Sequence, residues 1–431
     1  MTAPEPVIAS REAGRSQEPT PTDRALAALG RALSAYRVEV LVVLGALLRL
    51  EGWILGRGTW LDENSLLGNF VGRTASNLFR PFVGTQLAPA GFFVLEWWLG
   101  RVLGDNRYVY RLFPLVCGIV ALALFDMLAR RATRPGAVWV AVVLFAVSGD
   151  LVYYSSEIKP YSTDVFFAVA VTLAGVMQLR TELTRGRALG LALLGAAAVW
   201  MSFPSALVLG GVGLVLLADA ASRRDFGRLA RLAAVCLVWS ISFAGAYRTA
   251  RNMLGYGGRL GMNAFWAFAF PPWPPQSVRE ALWPVRRGLF LFVNPLDHLE
   301  PFGPWVASAP AILCAAVGFV SLARRDSRAL AMLVLPIVLA LGVAYPRLYP
   351  FHGRLVLFLA PALILLIAEG ADVIVSLCRH RWLRATLLSV LLFYPVANAL
   401  YRVIEPNRDT THDARHGDLR GWARDPERFP F

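Results

Sequence analysis

The residues best suited to chemistry lie in two short groups. The first is "WLDE" at positions 60 to 63, where Asp62 and Glu63 set two carboxylates side by side after an apolar run that begins near Val38. The second is "YYSSEIKPYSTD" at 153 to 164. Within it Glu157, Tyr161 and Asp164 fall at i, i+4 and i+7, one face of a helix that starts early. It also holds Lys159, the only lysine among 43 basic residues. Carboxylates beside cations suit a reaction that deprotonates a hydroxyl next to a phosphate. The carboxylate takes the proton, and Lys or Arg offsets the charge gathering on the departing phosphate. A leaving group that is already a phosphate needs no separate general acid.

The elements that must carry these groups follow from composition. Of 431 residues, 56% are hydrophobic and only 17% are charged, so the chain reads as an integral membrane protein. Its mean hydropathy is +0.52. Apolar runs of about 17 to 25 residues alternate with short Arg-rich connections, the signature of a polytopic helical protein rather than a barrel. The expected fold class is therefore all-α, with about 11 transmembrane helices. They are placed near 36–56, 107–130, 136–153, 162–180, 188–200, 203–219, 228–249, 303–323, 329–345, 354–376 and 383–402.

The net charge of +14 would suggest a nucleic-acid partner in a soluble domain, but here the arginines sit in short loops. They report topology, and no nucleic acid is expected. "ARRATRP", "RTELTRGR", "SRRDFGRLAR", "ARRDSR" and "CRHRWLR" all fall on one side if the amino terminus is cytoplasmic. Residues 1–35 then form a disordered cytoplasmic tail, 36–402 the transmembrane domain and 403–431 a short outer-side tail. Four cysteines, all in apolar runs and without paired spacing, indicate neither disulfides nor zinc.

"PAGFFVLEWWLGRVLG" at 89–104 is apolar but too short to span before Arg101, and it contains Glu96. Laid on the outer surface as an interfacial or re-entrant helix, it leaves 57–106 as a first outer loop with juxtamembrane helices. The loop 250–302, with "FPPWPP", and "YPRLYPFHGR" at 345–354 then emerge on the same face as both reactive groups. Ionisable side chains at that depth cost several kcal/mol unless paired or wet, which makes Arg49, Asp62, Glu63 and Asp164 functional candidates.

In combination and order these motifs resemble a known family. An Arg in the first span, "W-x-D-E", a surface helix introduced by "QLAP", "YVYRLFPLVCG" and "YYSSEIKPYSTD" are similar to the GT-C membrane glycosyltransferases. The likeness is greatest to the dolichyl-phosphate-mannose protein mannosyltransferase and lipid A aminoarabinose transferase group. It covers roughly residues 40 to 220, with "YPFHGRLVLFLAP" added later in the chain.

The resemblance implies an inverting transferase that moves a sugar from a polyprenyl-phosphate donor to a glycan, lipid or protein acceptor. By position Asp62 is its general base with Glu63 beside it, and Asp164 is the second acid. Arg49 and Arg111 match basic positions near the donor. Lys159 and Arg354 are the candidates for the lipid phosphate, and Glu157, Tyr161 and the outer-loop tryptophans for substrate contacts. Gln86 stands where the family often has a charged contact. The family's His and carboxylate metal set is not evident, so no cofactor is required and a divalent metal is not indicated. The short fifth and sixth spans around "MSFPSA" could thin the membrane and receive a prenyl chain.

Scarce lysine points to a GC-rich genome, hence a bacterium, and to the inner membrane with the site on its outer face. A lipid-linked glycan ligase or polymerase, or a transporter or flippase, is the alternative. A transporter would place ions at mid-membrane in repeated halves, and no repeat is present.

Overall fold

The computed structural model describes residues 37–404, apart from 71, 84–85 and 294–303. The expected tail 1–35, most of the tail 403–431 and the end of the 250–302 loop lie outside these described residues. Among the described residues the structure is helical and contains no strand. The helices used below are α1 Arg37–Ile54, α2 Leu61–Leu67, α3 Ala90–Leu103, α4 Leu112–Ala132, α5 Val138–Val147, α6 Gly149–Tyr153, α7 Tyr161–Leu179 and α8 Arg185–Met201. They continue with α9 Ser205–Ser222, α10 Phe226–Phe265, α11 Trp283–Phe290, α12 Pro304–Arg325, α13 Ser327–Ala344, α14 Ala360–Leu377 and α15 Arg381–Ile404.

Each of the eleven expected spans is helical. Among the described residues, eight helices are long and apolar enough to cross a bilayer, or nine if the pair bent by 56° around Ser148 is one span. The shortfall has two causes. α1 carries Arg37, Glu39, Arg49 and Glu51, and α8 has only 17 residues.

Local chemistry starts several helices at the Arg-rich connections. Thr184, Asp225 and Asp326 each accept a main-chain N–H of the first turn that follows, satisfying a donor that the helix cannot. α7 and the Gly353–Leu377 stretch lie at the centre, each with 72% of its apolar window buried, whereas α15 has 17% buried and lies outermost. α4 packs on α7, α1 on α5, α9 on α13 and α12 on α14. The α12–α14 contact is a backbone contact. A Cβ on Gly370 would collide with the Cys314 carbonyl oxygen, and one on Gly318 with that of Leu366.

Midway along α14 the buried Glu369 accepts from Ser321 Oγ at 2.8 Å, Arg325 at 3.2 Å and the Arg134 main-chain N–H at 2.8 Å. This hub ties the α4–α5 connection to α12 and α14.

The 57–106 loop is ordered by a side chain that the sequence analysis did not single out. Arg73 is fully buried and donates to the carbonyls of Leu78 (2.8 Å), Arg80 (2.7 Å) and Pro81 (3.1 Å) and to Asn69 Oδ1 (3.0 Å). Its guanidinium lies over the Phe82 and Phe93 rings, and its own carbonyl accepts from Trp97 and Arg101 of α3. One arginine thus closes the loop 69–82 onto the juxtamembrane helix.

The sixteen or so residues after 249 are helical, because α10 continues to Phe265 across a break at Gly255, whose φ of 66° suits glycine. The extension reaches the 57–106 loop, where the Phe82 N–H donates to the Met253 carbonyl at 2.6 Å.

Candidate active site

Asp62 and Glu63 occupy the first turn of α2, so consecutive positions send the two carboxylates in different directions. Glu63 points inward. It accepts from Arg111 Nε at 3.1 Å and Arg111 Nη2 at 2.8 Å and 2.9 Å, from the Ile158 N–H at 2.9 Å and from the Trp60 N–H at 3.3 Å. Neither side chain of the Glu63–Arg111 pair is exposed at all. Arg111 also donates to the carbonyls of Arg57 at 2.7 Å and Gly58 at 3.3 Å. The pair therefore bolts together the end of α1, the start of α2, the start of α4 and the 157–159 turn.

Asp62 points into a partly open site. Oδ1 accepts from Lys159 Nζ at 2.9 Å and from Gln86 Nε2 at 3.1 Å, and Oδ2 accepts from Arg354 Nη2 at 2.8 Å. Gln86 Oε1 in turn accepts from Lys159 at 2.8 Å. Side-chain exposure is 15% for Asp62, 14% for Arg354 and 4% for Lys159, which makes Asp62 the carboxylate of the adjacent pair that a substrate can reach. Burial alone would push the Asp62 carboxyl up. The Lys159 and Arg354 charges, helped by hydrogen bonds from Lys159 and Gln86, instead hold it well below the usual carboxylate range.

Aromatic side chains wall this cluster. The Arg354 guanidinium lies 5.2 Å from the Trp60 ring centroid and 5.5 Å from that of Tyr161. Trp60 Nε1 donates to Glu157 Oε1 at 3.0 Å, while Glu157 Oε2 is buried without a hydrogen-bond partner. Burial, and then the Glu63 charge, push the Glu157 carboxyl above its ordinary range.

Six of the ten residues singled out from the sequence thus meet in one hydrogen-bonded or stacked cluster: Asp62, Gln86, Lys159, Arg354, Tyr161 and, through Trp60, Glu157. Glu63 and Arg111 form the wall behind it. Asp164 is buried a turn further into α7, and its Oδ1 has no hydrogen-bond partner. Arg49 is placed elsewhere. It is fully buried and donates to the carbonyls of Gly45 (2.9 Å), Phe145 (3.1 Å) and Ala146 (3.1 Å). The last two belong to the end of α5, where the break at Ser148 leaves carbonyls unpaired, so Arg49 caps a broken helix. Arg49, expected near the donor, is thus not brought into the Asp62 cluster.

Two further features escaped the sequence analysis. Arg57 stacks 3.5 Å from the Tyr153 ring centroid and donates to the Ser156 carbonyl at 3.2 Å, tying "YYSSE" to the end of α1. Its position between the first span and "WLDE" was the available signal. On the other side, Arg287 of α11 lies 3.1 Å from His352 Nδ1 and donates to the Phe268 carbonyl at 2.9 Å, with Phe290 stacked on the imidazole. Burial, then the charges of Arg287 and Arg354, push His352 down to about 3, so the ring is neutral and Nδ1 accepts. Among the described residues, no three His, Cys, Asp or Glu side chains come together as a metal ion would need.

No family model matches the chain, and no curated protein matches its sequence. Solved structures match its fold. ArnT from Cupriavidus metallidurans bound to undecaprenyl phosphate aligns over 84% of this chain and 72% of that one, with 15% identity and a TM-score of 0.52. The apo form of the same protein aligns over 84% and 73%, with 14% identity and a TM-score of 0.51. The archaeal oligosaccharyltransferase AglB from Archaeoglobus fulgidus, in complex with an inhibitory peptide and a dolichol-phosphate, gives 13% identity and a TM-score of 0.47. That alignment covers 92% of this chain but only 60% of AglB, so the chain spans about three fifths of that protein's length. The chain has the GT-C fold of polytopic membrane glycosyltransferases.

Proposed function

We propose that this GT-C-fold chain is an inverting glycosyltransferase. It moves a sugar from a polyprenyl-phosphate-sugar donor to a hydroxyl of a glycan, lipid or protein acceptor on the outer face of a bacterial inner membrane. The observation that carries the reading is the reachable Asp62 carboxylate flanked by two cations, Lys159 and Arg354, from distant parts of the chain. Likeness in fold to a protein solved with undecaprenyl phosphate supports a lipid-linked donor.

In this scheme Lys159 and Arg354 hold the donor phosphate, Lys159 as a point charge and Arg354 as a planar fork. The acceptor oxygen attacks the anomeric carbon from the face opposite the phosphate. The hydroxyl proton passes to Asp62 as the new glycosidic bond forms. The bond from the anomeric carbon to the phosphate oxygen breaks with its electron pair, releasing polyprenyl phosphate with one more negative charge. The two cations stabilise that gain more than they stabilise the bound donor, which is the condition for catalysis. A single displacement of this kind inverts the anomeric centre.

Glu63 and Arg111 position the turn that carries Asp62, while Trp60 and Tyr161 offer ring faces to a sugar. Asp164 and Glu157 are acids of the same neighbourhood, close to the acceptor side in this reading. No cofactor or metal enters the scheme.

The test is turnover of radiolabelled polyprenyl-phosphate hexoses and pentoses by the full chain in nanodiscs containing cell-envelope glycans and lipids. Release of polyprenyl phosphate that depends on Asp62 supports the reading. No release from any donor, with intact folded protein, overturns it.

A further inference from the structure

The cation pair that the proposed transfer needs for phosphate is engaged by a carboxylate of the chain itself. Asp62 sets one oxygen 2.9 Å from Lys159 Nζ and the other 2.8 Å from Arg354 Nη2. Two oxygens on one centre span two cations, as two oxygens of a phosphodiester would. Gln86 completes the ring, donating to Asp62 and accepting from Lys159.

A carboxylate so engaged is a poor base, because a base must keep an accessible lone pair of high proton affinity for the incoming proton. Two cations left facing each other at this depth would be costly as well. Held this way by Lys159, Arg354 and Gln86, Asp62 is not armed for the reaction.

Glu63, one residue on, gives the contrast. Two of its partners are main-chain N–H groups, its arginine is fully buried, and nothing from outside can replace them. The partners of Asp62 are three side chains from three separate segments, and it and Arg354 remain partly exposed. A second anion arriving there brings one negative charge too many for two cations, and the carboxylate is the occupant whose departure leaves a useful group.

We propose that Asp62 is a displaceable occupant of the phosphate seat: donor phosphate takes over Lys159 and Arg354 and releases the carboxylate to serve as base. The inference rests on the transferase reading above and adds an order of events to it. Donor binds first, and acceptor meeting the empty enzyme finds no free base. A transferase that activates its acceptor only when donor is in place is also protected from holding a deprotonated nucleophile without a sugar to receive it.

The experiment is binding of undecaprenyl phosphate, with inorganic phosphate as the headgroup-only control, to the full chain in nanodiscs, comparing the parent with Asp62→Asn. Removing the competing charge is expected to tighten undecaprenyl phosphate binding roughly tenfold, and to make binding less dependent on pH on the acid side. Tightening of inorganic phosphate alone would overturn the proposal as stated for the lipid donor. Equal affinity of parent and variant, or weaker binding by the variant, overturns the displacement.

Because the variant could fold poorly, the second measurement uses the parent protein, solved with undecaprenyl phosphate. Phosphate between Lys159 and Arg354, with Asp62 more than hydrogen-bond distance from both, is the expected result. Phosphate at those cations with Asp62 still bonded to them sinks the displacement but leaves the transferase reading standing. No phosphate at Lys159 or Arg354, and no binding by the parent, sinks the transferase reading itself.

Discussion

Asp62 and Arg354 stand 292 residues apart in the chain and meet at 2.8 Å. The contact joins α2, in the 57–106 loop, to the Gly353–Leu359 turn that leads into α14. The site therefore exists only once the last spans have packed against the first.

Asp62→Asn is expected to lower turnover by about two to four orders of magnitude, the usual worth of a positioned base, while the donor still binds. Single-turnover rates at saturating donor measure this directly. A variant that turns over within a few-fold of the parent moves the base elsewhere, with Glu157 and Asp164 next to be tested.

Lys159→Gln should raise the KM for donor by about tenfold or more, since the side chain holds phosphate in the bound donor as well as in the transition state. Loss of turnover with an unchanged donor KM contradicts that assignment.

Glu63→Gln leaves the Arg111 guanidinium buried without a countercharge, and breaking such a pair costs about 3 kcal/mol or more. The expected result is a clear fall in thermal stability in detergent. Replacing both residues, as Glu63→Leu with Arg111→Met, should recover part of it. Full stability of the single variant would mean that the pair does not bolt the outer loop in place.

His352 makes stability depend on pH. Its ring has a pKa of 6.5 when unfolded and about 3 when folded, so between those values the unfolded chain binds the extra proton. Its contribution is fully present above 6.5 and is lost as the pH falls through that window, at most about 1.4 kcal/mol per pH unit. Glu157, whose carboxyl is raised, acts in the opposite sense, so the comparison that isolates His352 is parent against His352→Asn. The variant keeps an acceptor for Arg287, and the difference in melting temperature between it and the parent should move in the variant's favour as the pH falls from about 7 to about 5. Parallel profiles would count against the neutral ring.

Gly370→Ala forces a Cβ into the Cys314 carbonyl and must drive α12 and α14 apart. Loss of folded protein on gel filtration is the expected result.

The sequence made ionisable groups stand out wherever they interrupted apolar runs, because charge near a bilayer core demands a partner or water. That argument reached Asp62, Glu63 and Asp164 without any structure, and the family resemblance added Lys159 and Arg354. It could not choose partners, since pairing depends on which spans become neighbours. Arg49 illustrates the limit: its position in the first span says that it needs acceptors, and the acceptors turned out to be carbonyls freed by a helix break across the bundle. Arg73 lay in an unremarkable loop, and its role arises from the loop's closed path. α10 was expected to end near residue 249 because polar residues begin there, yet the first outer loop supplies a surface against which a more polar helix continues.

The clamp on Glu63 also sets how Asp62 can move. With the next residue held by Arg111 and by the Ile158 amide, the backbone of α2 is fixed, and Asp62 can leave its cations only by turning about its own side-chain bonds. Such a motion is a change of side-chain rotamer rather than the opening of a loop. Arming the base would then require no rearrangement of the backbone around it.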